Sequence, residues 1–135
     1  MKNLLLIALV LLSTSLFSQR VVGKVSQIKV FEAGSEYWIE YSDNKYFQID
    51  VKKEIKLNEE EFFGLYENII QGFSDAPGEE IVIETQKDLI RLKYIKSMGV
   101  VNLRIFQHVS KSEDVIGVSK YLTKKAVIKL FGQKR

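Results

Sequence analysis

Residues 80–106 read EIVIETQKDLIRLKYIKSMGVVNLRIF, and the alternation in this stretch decides the fold class. Ile81 and Ile83 stand two apart, as do Ile90, Leu92 and Tyr94, and again Val101, Leu103 and Ile105. A period of two places each set on one face of an extended strand. The sets share a face only if the chain reverses through loops with an even number of residues, because a slip of one residue flips every side chain. Gln86-Lys87 and the region around Ser97-Met98 supply such loops. The stretch predicts an antiparallel meander with one apolar side.

Upstream, Glu36–Ser42 alternates Tyr37, Ile39 and Tyr41 against Trp38, Glu40 and Ser42. Asp43-Asn44 is a turn signal, and Lys45–Val51 alternates again through Phe47, Ile49 and Val51. Pairing Tyr41 with Phe47, Ile39 with Ile49 and Tyr37 with Val51 collects these residues on one face. It needs an odd loop such as Asp43-Asn44-Lys45. The opposite, more solvated face would carry Trp38, Glu40, Tyr46, Gln48 and Asp50. Earlier still, Val22–Phe31 reads as one β-rich strand whose poor alternation suggests a bulge, and Ala33-Gly34-Ser35 reads as a turn.

A helix is predicted between the two β regions, about Glu59 to Gln71. Asn58 and Glu61 have capping-box spacing, and Leu57 with Phe62 suits a hydrophobic staple. Phe62, Tyr66, Ile69 and Phe73 form its apolar stripe, and Gly72 suits a C-terminal stop. This helix is expected to cover the apolar side of the meander. After the meander, Val115–Val118 fits a fourth strand. Ser110 and Glu113 also fit a capping box, but Gly117 and the β-branched residues favour the strand. Thr123 caps a short helix, Lys124 to Phe131, ended by Gly132. The order βββ-α-βββ(β)-α, with strands grouped in runs, is an α+β fold with antiparallel sheet. Nothing in residues 19–135 suggests a linker, so one domain is expected.

Residues 1–18 read differently. Lys2 is followed by an unbroken apolar run, Leu4–Leu12, and then by Ser13, Thr14, Ser15, Leu16, Phe17 and Ser18. A cation, a short apolar core and a small-residue exit are the parts of a secretory signal peptide. The run is far shorter than the roughly 20 residues of a spanning helix, so no membrane anchor is expected after cleavage. The segment resembles bacterial signal peptides that end in a small residue followed by Gln. Cleavage after Ser18 would leave Gln19 first; cleavage after Ser15 is the alternative. The expected location is secreted or periplasmic. The chain has no cysteine, so neither a lipid-bearing cysteine nor a disulfide enters the reading, and the hydrophobic core alone must hold the domain.

No motif fixes a reaction. His108 is the single histidine, and alternation sets it on the surface with Asn102, Arg104 and Phe106. No serine sits in a G-x-S-x-G elbow, and no phosphate or dinucleotide loop is present. Glu59, Glu60 and Glu61 suit the first turn of a helix without any metal. No catalytic residue, cofactor or metal is therefore expected. The net charge of +3 is too small and too dispersed to suggest nucleic acid.

Two surface features stand out. Trp38 and Tyr46 beside Gln48 form a candidate ligand-binding face, unless another segment covers Trp38. Lys120, Lys124, Lys125 and Lys129, with Lys134 and Arg135 beyond, form a candidate surface for anionic lipid or polysaccharide. The expected function is an exported, non-enzymatic binding module for a protein or glycan partner. The alternatives are a small extracytoplasmic hydrolase using carboxylates and a peripheral envelope protein held by its basic C-terminal helix.

Overall fold

The computed structural model describes residues 19–45, 51–75 and 79–133. The leader, Tyr46, Gln48, Lys134 and Arg135 lie outside the described residues. Two four-stranded antiparallel sheets and two helices make up an α+β fold. The first sheet has the order β1 (Arg20–Val25), β2 (Ile28–Ala33), β3 (Glu36–Ser42), β4 (Lys52–Asn58). Helix α1 (Glu59–Asp75) follows directly. The second sheet runs β5 (Glu80–Glu84), β6 (Leu89–Ser97), β7 (Val100–His108), β8 (Ile116–Val118), and helix α2 (Lys124–Leu130) comes last.

The meander has the expected shared face, with one turn centred on Gln86-Lys87 and the other at Met98-Gly99, one residue beyond Ser97-Met98. Ile81 pairs with Leu92 and Ile83 with Ile90; Leu92 pairs with Ile105 and Tyr94 with Leu103. Residues 116–118 are a strand. The alternative capping box at Ser110 is displaced by a 3-10 turn, Val109–Lys111, in which Ser110 has φ 52°.

The first half departs from the expectation in three ways. Val22–Phe31 is not one strand but most of a hairpin. The chain reverses at Ser26-Gln27, with Ser26 at φ 54°, and a bulge lies between Val21 and Gly23. A serine in a left-handed turn carries little sequence signal, because glycine or asparagine usually marks that conformation. Secondly, the partner of β3 is not Lys45–Val51 but Lys52–Asn58. Tyr41 faces Lys53, Ile39 faces Ile55 and Tyr37 faces Leu57. The parity is the expected one, so Tyr37, Ile39 and Tyr41 still face inward, but the register lies six residues further on. Thirdly, α1 runs through Gly72 to Asp75. Gly72 is buried, and the space a Cβ would need is filled by the ring and hydroxyl of Tyr94. It serves close helix–sheet contact rather than a stop.

The ends of the helices follow from local chemistry. The Asn58 side chain accepts from Glu61 N at 2.8 Å, and Glu61 Oε1 accepts from Asn58 N at 3.0 Å. This reciprocal pair satisfies two donors that a helix start leaves open. The Thr123 hydroxyl accepts from Ala126 N at 3.2 Å and caps α2.

One core unites both sheets and both helices. Helix α1 touches β3, β4, β6 and β7, so it lies against both sheets rather than the meander alone. The Phe62 ring stacks on Tyr37 at 4.0 Å and on Phe131 at 4.9 Å between centroids. Tyr94 donates from its hydroxyl to Ile69 O at 2.6 Å, pinning α1 to β6.

Buried polar contacts stitch the sheets together at one end. Asp43 Oδ1 accepts from Val118 N at 3.1 Å and from Lys45 N at 3.2 Å, and Oδ2 accepts from the ammonium of Lys53. Tyr41 donates to Gln107 Oε1 at 2.6 Å; Gln107 Nε2 in turn donates to Glu54 O and to Asp88 Oδ2. Asp88 Oδ1 accepts from Ser110 N at 2.9 Å. Gly117 sits where a Cβ would meet the Tyr41 hydroxyl and the Lys53 stem.

Candidate functional site

The outward side of the first sheet is set by the same alternation that builds the core. On β3 it presents Glu36, Trp38 and Glu40, and on β4 Glu54, Lys56 and Asn58. Cross-strand pairing lines up Val21, Phe31, Trp38 and Lys56 as one row. Phe31 and Trp38 are stacked at 5.8 Å with 24° between their planes. Phe31 on β2 therefore backs one side of the indole, and the other side looks toward β4. Trp38 is half-buried. It is neither sealed into the core nor fully exposed.

On that β4 side lies a groove of about 540 Å3. Trp38, Glu36, Glu54, Lys56 and Gln19 line it from the first sheet and its approach. Glu61, Gln86 and Lys87 close the far side. That volume is within the usual range for small-ligand sites.

The far wall is held firmly. Glu61 completes the cap of α1 with one carboxylate oxygen and accepts from Gln86 N with the other, at 2.7 Å. The turn below is closed by Thr85 N to Asp88 O at 2.9 Å and by Asp88 N to Thr85 Oγ1 at 2.9 Å. Gln86 and Lys87 are left exposed on this fixed turn. Two backbone-fixed walls with an aromatic ring between them form a preorganised cleft, which reduces the ordering cost of binding.

Of the residues expected to form the ligand face, the structure brings Trp38 to the groove. Tyr46 and Gln48 are outside the described residues. The strand beside Trp38 is Lys52–Asn58, so its direct neighbour is Lys56 rather than the Asp50 of the expected pairing. Sequence reasoning therefore missed Lys56 and Glu54. It also read Glu61 only as a capping residue and Gln86-Lys87 only as a loop. The available signal was the second run of alternation at Ile55 and Leu57, which satisfies the same parity as Phe47 and Ile49.

The basic C-terminal set lies on α2 and just before it. Lys120 donates to Ser26 Oγ at 2.8 Å, while Lys124, Lys125 and Lys129 are exposed on α2. His108 lies outside the core, as alternation places it. Its Nε2 accepts from Arg91 Nε at 2.8 Å, and its Nδ1 lies 2.9 Å from Ser112 O. Arg91 also lies over the Phe106 ring at 4.6 Å and pairs with Glu80 at 2.9 Å. His108 is thus one member of a surface hydrogen-bonded lattice.

Among the described ion pairs, Asp43 is the most enclosed carboxylate, its side chain 0% exposed. Burial opposes its ionisation. The Lys53 ammonium and the N–H groups of Lys45 and Val118 outweigh that effect and hold its pKa below the ordinary aspartate value. Burial likewise pushes the Tyr41 hydroxyl well above its ordinary pKa, with Asp43 and Asp88 adding to the rise. Both groups are taken up by partners at the sheet junction, Tyr41 by Gln107 and Asp43 by Lys53, Lys45 and Val118.

Among the described residues, no group of three His, Asp or Glu side chains is placed to hold a metal ion, and no helix is long and apolar enough to cross a membrane. Comparison with protein-family models, curated proteins and solved structures finds no match.

Proposed function

We propose that this chain is an exported, non-enzymatic binding module whose ligand enters the groove between Trp38 and the Gln86-Lys87 turn. The observation that carries the reading is the half-buried indole of Trp38, backed by Phe31 and facing a groove whose far wall is fixed by Glu61. A large, half-buried aromatic supported on one side by Phe31 offers contact area at little entropic cost. The carboxylates drawn into the interior, Asp43 and Asp88, already accept hydrogen bonds from the chain's own groups. That favours a binding role over a hydrolase built on buried acids. Export is supported by the Lys2, Leu4–Leu12 and Ser18 pattern at the N-terminus. It gives a secreted or periplasmic location.

Trp38 is the only tryptophan, so its emission reports on the groove directly. The material released by an exporting bacterium should begin at Gln19 by mass spectrometry, and a retained Met1 would refute processing. In that material, extracts of the extracytoplasmic space should shift Trp38 emission and protect it from acrylamide quenching. Unchanged quenching in the presence of any bound component would place the ligand elsewhere. Salt-sensitive attachment to anionic vesicles, lost in Lys124→Ala/Lys125→Ala/Lys129→Ala, would instead favour the C-terminal helix as the binding surface.

A further inference from the structure

We infer that the groove's ligand is a neutral oligosaccharide, an inference that rests on the groove reading above and names its chemistry. The charge on the lining decides the class. Glu36, Glu54, Lys56 and Lys87 contribute two carboxylates and two ammonium groups. Glu61 adds a third carboxylate, but both of its oxygens already accept backbone N–H groups. An anionic ligand would meet Glu36 and Glu54. A cationic one would meet Lys56, which stands directly opposite Trp38 on the neighbouring strand. Like charges at close range penalise either ligand.

What remains is a ligand rich in hydroxyl groups and without net charge. Hydroxyls donate to carboxylates and accept from ammonium and amide N–H, so this mixed lining serves both of their roles. The amide side chains of Gln19 and Gln86 add donors and acceptors at the rim. The half-buried indole of Trp38 in the lining supplies the other half of sugar recognition. A pyranose presents a face of weakly positive C–H groups, which matches the negative face of an aromatic π-system. The groove runs beside β4, the outer strand of the first sheet. An extended peptide gains most of its affinity from backbone pairing at an edge; on β4 that pairing is interrupted, because Gln107 already occupies Glu54 O and Glu61 already occupies Asn58 N.

The test is a titration of the leaderless protein, residues 19–135, with cello-, chito-, xylo- and manno-oligosaccharides. A polyuronate fragment and a lysine-rich peptide serve as charged controls. Trp38 emission and amide chemical shifts are the readouts. The expected result is a response to at least one neutral sugar at the Trp38 indole N–H and the amides of Lys56, Gln86 and Lys87. Trp38→Ala should weaken that binding by about tenfold or more, and Trp38→Phe should retain most of it. Because Trp38 packs on Phe31, the exposed-turn variant Gln86→Ala/Lys87→Ala provides a second check without a core change, and should also weaken binding. A response at these residues to a charged probe alone would overturn the sugar assignment while leaving the groove in place. Sugar-induced shifts elsewhere would overturn the groove, and silence across the whole panel would overturn both.

Discussion

Phe62 shows how much one side chain can connect in this molecule. It sits one turn into α1, 1% exposed, with Tyr37 of the first sheet on one side and Phe131 at the end of α2 on the other. Removing the ring would leave a cavity lined by groups from three elements, with little freedom to collapse. Phe62→Ala should therefore cost about 3–5 kcal/mol in urea unfolding, and a loss below about 1 kcal/mol would show that the ring is not a core contact. Its position was legible from local sequence, because the staple and the helical stripe both point to it. Gly72 was not legible in the same way. A glycine near the end of a helical pattern reads as a stop, and only the Tyr94 side chain, 22 positions away in the chain, shows that it is a contact point. No local pattern carries that information.

At the scale of elements, the caps and the hairpins divide along the same line. The Asn58–Glu61 cap needs only residues three apart, so the sequence specifies it fully. Its second use does not follow from sequence: Glu61 also accepts from Gln86 N, 25 positions on, and so couples the start of α1 to the wall of the groove. Glu61→Ala should lower stability by about 1–2 kcal/mol, as for loss of a cap and a backbone partner. Amide exchange at Gln86 and Lys87 should quicken more than in a Glu60→Ala control. Equal exchange in the two variants would remove Glu61 from the wall. The β3–β4 hairpin illustrates a limit of alternation. Parity fixes which face is apolar, but registers that differ by an even number of residues satisfy it equally. Asp43 breaks the tie. It looks like the first residue of a tight turn, yet its N–H donates to Val51 O at 2.7 Å and its carboxylate is buried against β8. Asp43 therefore extends the pairing of β3 and β4 rather than opening a tight turn.

For the whole molecule, that same carboxylate joins the two sheets and gives stability a dependence on pH. Its folded pKa lies below its unfolded value of about 3.9. Its contribution is thus fully present above the unfolded pKa and is lost as the pH falls through the folded one. Asp43→Asn should destabilise by roughly 3 kcal/mol near neutrality, since it removes one partner of an enclosed pair. The gap between variant and parent should narrow steadily below about pH 4. A gap that stays constant down to about pH 2 would remove Asp43 from the acid response. Breaking the Asp43–Val118 contact should also loosen β8, measurable as faster amide exchange at Val118.

What the sequence by itself determined is what depends on neighbours a few residues apart: the α+β class, the inner face of β3 and of the meander strands, both helix starts and the short fourth strand of the second sheet. Period and capping chemistry act over that distance, so one chain read alone is enough. Tertiary structure decided the register of β4, the reversal at Ser26-Gln27, the role of Gly72, and the identity of Trp38's neighbours. In each of these, the local pattern admits more than one solution. The choice fell to a contact from far along the chain: Val118 on Asp43, Tyr94 on Gly72, Gln86 on Glu61. The groove belongs to this second group, because its walls come from segments that only the closed core brings side by side.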